Sequence, residues 1–335
     1  MTQPRLTWDR TEEPAPPPVS WEVRSSHGAS LAATVWPTPN RLFFGDNLAV
    51  MRHLRAELEG RIQLIYLDPP FASQADYVHS GGGRQELAFS DRWPGGLGQY
   101  LDMLWPRLVL MRELLSAEGS LYIHLDPTAS HYVKVLLDEI FGPECFQREI
   151  IWRIGWISGY KSSVKNWVRN HDVILFYTRD PQRFTFHRVL VPHPPGYERR
   201  GGGEGAGRPV EDVWNASPAE HALHGAESLN SIQIVSFSGE KTGYRTQKNE
   251  SLLRRIVAAS SSPGDLVADF FCGSGTTMAA CEALGRRWVA ADQGAAALAV
   301  STKRLLELPV RAPFDVWAPA GQAEPPEAGN SQTPA

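Results

Sequence analysis

Asp68-Pro69-Pro70-Phe71 gathers a carboxylate, backbone carbonyls and an aromatic ring into consecutive positions. Consecutive prolines donate no ladder hydrogen bonds, so a strand that runs into them stops and presents its carbonyls at fixed angles. Such a set suits a planar group carrying an N–H₂. The carboxylate and a carbonyl accept its two hydrogens while the ring stacks on its face. An ordinary Asp-Pro turn satisfies the same residues when they are taken alone. Far along the chain, Leu266-Val267-Ala268-Asp269-Phe270-Phe271-Cys272-Gly273-Ser274-Gly275-Thr276-Thr277 reads as a strand entering a Gly-x-Gly loop, with a helix to follow. Gly273 and Gly275 let backbone approach a ligand and set the helix N-terminus against it. The third glycine of a dinucleotide fingerprint is missing, which disfavours NAD. Asp292 ends the next apolar run, where a carboxylate can accept from both hydroxyls of a ribose. The combination favours an adenosine-bearing cofactor.

The elements that position these groups follow from periodicity. Ile62 to Leu67 is an apolar run of buried-strand type, so Asp68 falls at a strand end, the edge where open α/β sheets bind ligands. Arg41 to Phe44 reads as a shorter strand, and Leu48, Met51, Leu54 and Leu58 lie at helical spacing after it. The three pieces form a βαβ unit with parallel strands and a right-handed crossover. Further helices are expected over Gln99 to Leu115, His131 to Phe141, Ser251 to Ser260 and Met278 to Leu284. Strands are expected at Ser120 to Leu125, Arg148 to Ile154, Asp172 to Thr178 and Arg287 to Ala291. Between Ala72 and Gly98 the chain is polar and glycine-rich, a long loop suited to closing over a site. His124 and His131 lack a third ligand, so strand-end and helix-cap roles outrank a metal, and no metal is expected.

Composition narrows the class. The sequence has 335 residues, 42% hydrophobic and 21% charged, as in a folded enzyme. No apolar run reaches transmembrane length, and the polar N-terminus resembles no signal peptide, so a cytoplasmic protein without membrane contact is expected. Cys145, Cys272 and Cys281 show neither disulfide nor metal-ligand spacing. Net charge is −4, yet residues 147–208 carry eleven Lys or Arg against five Asp or Glu. Aromatics including Trp156, Tyr160, Trp167 and Tyr197 are interleaved there, a composition suited to phosphates and bases. Lys161, Lys165 and Arg169 are the expected nucleic-acid contacts. Residues 1–39 hold seven prolines and read as a flexible or loosely docked arm.

Asp269 to Gly275 resembles the S-adenosylmethionine-binding loop of class I methyltransferases, and Asp68 to Phe71 resembles the catalytic motif of the DNA amino-methyltransferases. The catalytic motif precedes the cofactor loop, the order of the circularly permuted β group of that family. The resemblance covers about residues 40–310. It implies an α/β fold, a Rossmann-like, mostly parallel sheet with helices on both faces and an inserted DNA-recognition region. The expected divisions are a catalytic half at 40–150, last core strands with target recognition at 151–240, a cofactor half at 241–310 and a flexible tail at 311–335. By resemblance, Asp68, Pro69, Pro70 and Phe71 act on the base. Asp269, Phe270, Phe271, Cys272, Gly273, Ser274, Gly275, Thr276 and Thr277 cradle S-adenosyl-L-methionine, Asp292 takes its ribose and Asp46 its adenine. Tyr244-Arg245-Thr246-Gln247-Lys248 resembles the segment preceding the loop, so Gln247 and Lys248 are expected at the methionine end. The family usually has Pro where this chain has Asn249, which weakens the start signal of the next helix.

The activity so implied is site-specific methylation of adenine N6 in duplex DNA after base flipping, because the target nitrogen is hidden in the helix. Cytosine N4 is the alternative, since it offers the same N–H₂. Methylation of RNA or a protein amide ranks lower, as does a DNA-binding module with an inactive site. Duplex DNA is the expected partner. A homodimer and a cognate restriction endonuclease are further partners left open.

Overall fold

The computed structural model of the chain describes residues 6–11, 16–28, 38–71, 76–81, 84–155, 164–191, 193, 207–215, 229, 234 and 239–322. Its strands are β1 (Trp21–His27), β2 (Asn40–Phe44), β3 (Ile62–Leu67), β4 (Asp76–Gly81), β5 (Arg84–Ser90), β6 (Leu115–Leu125), β7 (Phe146–Arg153), β8 (His171–Thr178), β9 (Leu190–Val191), β10 (Arg208–Pro209), β11 (Val213–Trp214), β12 (Leu266–Asp269), β13 (Arg287–Asp292) and β14 (Phe314–Pro319). The helices are α1 (Asn47–Leu58), α2 (Gly96–Leu114), α3 (Ser130–Phe141), α4 (Glu250–Ser260), α5 (Thr276–Leu284) and α6 (Ala295–Glu307). A ten-stranded sheet runs β1-β14-β2-β13-β12-β3-β6-β8-β7-β11. Pairing is parallel from β14 through β6 and between β7 and β11, and antiparallel at β1/β14, β6/β8 and β8/β7. The sheet is therefore the mostly parallel α/β arrangement expected from the sequence.

Period-2 alternation sorts the core into two layers. Phe43, Ile65 and Leu67 pack among residues of α1, α2 and α3 on one face. Leu42, Phe44, Leu64 and Tyr66 pack among residues of α4, α5 and α6 on the other. The permutation is visible in the strand order: β12 and β13, from the C-terminal half, lie between β2 and β3 from the N-terminal half. Backbone register across these joins fixes which strand ends meet, with Asp292 opposite Phe44 and Ala268 opposite Ile65.

Both termini depart from the sequence expectation. The proline-rich arm carries β1, and the expected tail carries β14, which pairs with both β1 and β2. Aromatic packing explains their order. Trp21 meets the edge of Phe43 at 5.3 Å between ring centroids, and Trp317 stacks on the same ring at 5.7 Å. Residues 6–11 are also tied down, with Trp8 Nε1 donating to Asp102 Oδ1 at 2.7 Å and Arg10 lying over Trp105. The loop expected after Phe71 contains the antiparallel pair β4/β5. Among the described residues no helix is long and apolar enough to cross a membrane.

Candidate active site

The neighbouring parallel strands β2, β13, β12 and β3 all point their carboxyl ends to one edge, and each end bears an aspartate: Asp46, Asp292, Asp269 and Asp68. Beyond that edge lies a cavity of about 450 Å³ lined by all four, together with Asn47, Tyr66, Pro69, Pro70, Phe71, Trp93, Arg107, Tyr244, Thr246, Lys248, Phe270 to Ser274, Thr276 and Thr277. That volume is in the range of small-molecule sites. A shallower groove of about 510 Å³ over Trp105 and Pro106 is apolar, with Arg52 and Arg55 at its rim. It holds no carboxylate and lies away from the strand ends.

On the side of the Gly-x-Gly loop, the loop is built by its own aspartates. Asp269 Oδ1 accepts from the Phe271 amide at 3.0 Å and Oδ2 from the Thr277 hydroxyl at 2.5 Å. Burial pushes the Asp269 carboxyl up to about 7, against the lowering effect of those bonds. Asp292 accepts from the Gly273 amide at 2.9 Å and the Gly294 amide at 2.8 Å, and burial raises its pKa as well. Each oxygen keeps a lone pair for a ligand hydroxyl. Gly273 has φ +48°, and a Cβ there would stand 3.3 Å from the Tyr244 ring that lines the cavity. Gly275, at φ +76°, is excluded from larger residues for another reason: its Cβ would meet Ser301 Cβ of α6 at 2.9 Å and Met278 Cε at 3.0 Å. That glycine serves helix packing, and it does not line the cavity.

Asp46 caps α1 by accepting from the Ala49 amide at 3.0 Å and pairs with Arg107 at 2.8 Å. Arg107, almost fully buried in α2, also donates to Asn47 Oδ1 at 2.6 Å and the Met103 carbonyl at 2.7 Å. Asn47 in turn donates to the Phe270 carbonyl at 2.8 Å, tying the N-terminal strand end to the cofactor loop. Gln247 is buried beside the cavity without lining it. Its Oε1 accepts from the Thr242 amide at 2.9 Å, and its Nε2 donates to the Glu240 carbonyl at 2.8 Å. Its position is that of a brace for the segment bearing Tyr244, Thr246 and Lys248. The weak start expected at Asn249 is supported from elsewhere, since the first amide of α4, on Glu250, donates to Glu240 Oε2 at 3.0 Å.

On the other side, Asp68 pairs through Oδ2 with Lys248 Nζ, whereas its buried Oδ1 has no hydrogen-bond partner among the described residues. The Phe71 amide donates to Asp91 Oδ2 at 3.1 Å, and Asp91 Oδ1 accepts from Trp93 Nε1 at 2.8 Å. The Phe71 ring stacks on His124 at 6.0 Å. His124 is fully buried, with Nδ1 3.0 Å from the Tyr66 hydroxyl and Nε2 3.2 Å from Asp172 Oδ2. Arg169 closes this chain by pairing with Asp172 Oδ1. It is thus held at the start of β8, while Lys165 is exposed and Trp167 is 97% exposed. Lys161, Trp156, Tyr160 and Tyr197 lie outside the described residues. Among the described residues, no group of three or more His, Cys, Asp or Glu could hold a metal.

The expected catalytic and cofactor residues therefore converge, except that Gly275 and Gln247 stand behind the wall, whereas Lys165 and Arg169 do not line the cavity. Tyr66, Asn47, Asp91, Trp93 and Arg107 were not singled out from the sequence. Arg107 had a signal: it follows Leu104 by three positions on the apolar stripe of its helix, where a charge needs a buried partner. Asp91 and Trp93 sat in a polar loop with nothing to distinguish them.

The residues present fit an adenosine cofactor. The four strand-end carboxylates, the loop amides and the Asp68 oxygen that has no partner among the described residues surround one cavity of suitable size. Comparison with known proteins agrees. Residues 62–303 match the DNA methylase family of N6 and N4 amino-methyltransferases, and the chain belongs to that family of S-adenosylmethionine-dependent enzymes. It is 31% identical over 326 residues to the type II methyltransferase M.EcaI of Enterobacter cloacae, covering 79% of this chain and 69% of that one. It is also 25% identical to the DNA adenine methyltransferase YhdJ of Escherichia coli K12, covering 79% and 82%. The fold is shared with the cytosine-N4-specific PvuII DNA methyltransferase at a TM-score of 0.53 and 14% identity, over 82% of this chain and 89% of that one.

Proposed function

We propose that this methyltransferase acts on the N6 amino group of adenine, flipped out of duplex DNA, with Asp68 and Phe71 receiving the base. The observation that carries this reading is the Asp68 carboxylate. One oxygen is buried and has no partner among the described residues, beside an aromatic ring whose backbone is fixed by Asp91. A buried acceptor left unpaired costs about 1–3 kcal/mol, which favours a donor arriving there. Asp269, Gly273, Asp292 and the Tyr244 to Lys248 segment would hold the cofactor, which supplies an electrophilic methyl group. Asp68 accepts one N–H of the amine and the Pro69 carbonyl accepts the other, turning the nitrogen lone pair out of the ring conjugation and toward the methyl donor. Phe71 stacks on the base and limits its tilt. As the nitrogen gains its new bond it sheds a proton, for which Asp68 is the base already in contact. The contribution of these groups is positioning and electrostatic, with no covalent enzyme intermediate.

The preference for adenine is supported by the Asp at the first motif position, which family resemblance associates with adenine, and by the relative named as an adenine methyltransferase. The type II names of M.EcaI and of M.HpaI from Haemophilus parainfluenzae support a role beside a cognate endonuclease. Exposed Trp167 and Lys165, next to the start of β8, support DNA contact on that side of the cavity. Nucleoside mass spectrometry on DNA from cells expressing the chain, with sequencing of modified positions, tests the reading. N6-methyladenine at one recurring sequence is expected. N4-methylcytosine would reassign the base, and unmodified DNA would overturn the activity.

A further inference from the structure

We infer that Lys248 is a displaceable stand-in for the target amine: its ammonium closes the base site until the carboxylate of the cofactor draws it away, so that cofactor and flipped base bind with positive coupling. This inference rests on the methyltransferase reading above.

The ammonium stands against both features that the base requires, taking one oxygen of the carboxylate and leaving Oδ1 open among the described residues. It donates to Asp68 Oδ2, and it lies 5.3 Å from the centroid of the Phe71 ring. An exocyclic amine is a donor competing for the same carboxylate, and the base plane competes for the same ring face. The pair is shielded from water, with the two side chains only 12% and 17% exposed. Partners in such a pair do not simply separate, because a buried charge without a partner is strongly disfavoured. The lysine needs a new anion before it leaves.

The cavity restricts what that anion can be. Among the described residues lining it, the cations are Arg107 and Lys248, facing Asp46, Asp68, Asp91, Asp269 and Asp292. Arg107 is fixed by Asp46, Asn47 and the Met103 carbonyl. A ligand that brings a carboxylate into this acidic cavity therefore has Lys248 as its available counterion. The same amino-acid end brings an α-ammonium, in S-adenosylmethionine and S-adenosylhomocysteine alike, which offsets the strand-end carboxylates as the lysine leaves Asp68.

Backbone anchoring confines the movement to the side chain. The Lys248 carbonyl accepts from Thr276 Oγ1 at 3.2 Å, and that hydroxyl is held by Arg304 at 2.9 Å. Lys248 thus hangs from the cofactor loop and reaches across to the catalytic carboxylate. A rotamer change is enough to switch it, and by linkage the base favours cofactor binding as much as cofactor favours the base.

The test uses 2-aminopurine in place of the target adenine in a duplex, its fluorescence reporting capture of the unstacked base. S-adenosylhomocysteine, which has the amino-acid carboxylate, is compared with 5′-methylthioadenosine, which lacks it. In the wild type, S-adenosylhomocysteine tightens base capture by about tenfold or more, whereas methylthioadenosine leaves it nearly unchanged. Lys248→Met captures the base without any cofactor, and S-adenosylhomocysteine adds no further tightening. Lys248→Arg keeps the coupling. Equal tightening by both nucleosides, or full coupling retained in Lys248→Met, would overturn the inference. Should Lys248→Met fail to fold by circular dichroism, the two nucleosides on the wild type and Lys248→Arg still decide. A wild type that methylates DNA but shows no coupling refutes this inference alone, while one that methylates no DNA refutes the reading beneath it.

Discussion

The two sides of the cavity are built on opposite plans. On the cofactor side, Asp269 and Asp292 spend both oxygens on the loop itself, and Asn47, Arg107 and Gln247 brace the wall from behind. On the side proposed to receive the base, Asp68 offers one oxygen to a lysine and the other to nothing in the described structure. A small cofactor entering a cavity gains most from a wall that is already ordered, because little conformational entropy is then lost on binding. A base extruded from a duplex needs a site that is empty or easily vacated. The first plan supplies preorganisation, and the second supplies contacts that exchange.

The largest expected effect probes the self-satisfied side through pH. The Asp269 carboxyl, buried in the folded chain, titrates at about 7, above its ordinary value of 3.8. A raised carboxyl pKa means that the folded state binds the proton more tightly, so this group favours folding at low pH. Its contribution is lost as pH rises from the unfolded value to the folded one. Asp269→Asn removes that dependence. Denaturant melts should show the variant gaining on the wild type between about pH 4 and 7, by on the order of 4 kcal/mol in total, with a constant difference above. Parallel curves across that window would mean that the carboxylate is ionised in the folded state and that the loop is electrostatically stronger than its burial implies.

Asp68→Ala breaks the exchanging side. It removes the acceptor that steers the amine and leaves the Pro69-Pro70 turn intact. Methyl transfer under single turnover should fall about a hundredfold or more, roughly 3 kcal/mol, while cofactor affinity does not fall, because Lys248 is released to the cofactor carboxylate. Near wild-type transfer would reduce Asp68 to a turn residue. Gly275→Val separates packing from ligand contact, because the added side chain runs into Ser301 and Met278 at a positive φ. Equilibrium unfolding should show a loss of about 2 kcal/mol, while the remaining folded protein keeps its cofactor affinity within a few fold. Unchanged stability with lost affinity would return that glycine to the ligand side of the loop. The smallest effect belongs to the DNA surface. Lys165→Glu should flatten the slope of log affinity against log salt by about one unit for a lost phosphate contact. An unaltered slope would place the phosphate path elsewhere.

Much of this architecture was legible in the linear chain. Strand ends carrying Asp68, Asp269 and Asp292 follow from apolar runs interrupted by proline or glycine, signals that act over a few residues and are independent of what packs around them. The order of the two motifs also implied the permutation, hence that Asp46 would join the others at one edge. Strands β1 and β14 were hidden, because prolines and tail position outweigh a short alternating pattern until Phe43 is there to receive Trp21 and Trp317. Asp91 could not be distinguished from any loop aspartate, since its role exists only where the Phe71 amide meets it. The sequence by itself determined which groups stand at the strand ends, and so what chemistry the chain carries. Only the tertiary structure decided their partners: that Gly275 answers to Ser301, Gln247 to Thr242 and Lys248 to Asp68. The reason is range. Chain termination and periodicity are local and written in neighbours, whereas an ion pair between residues 180 positions apart is set by the register of strands that the chain cannot specify until they pair.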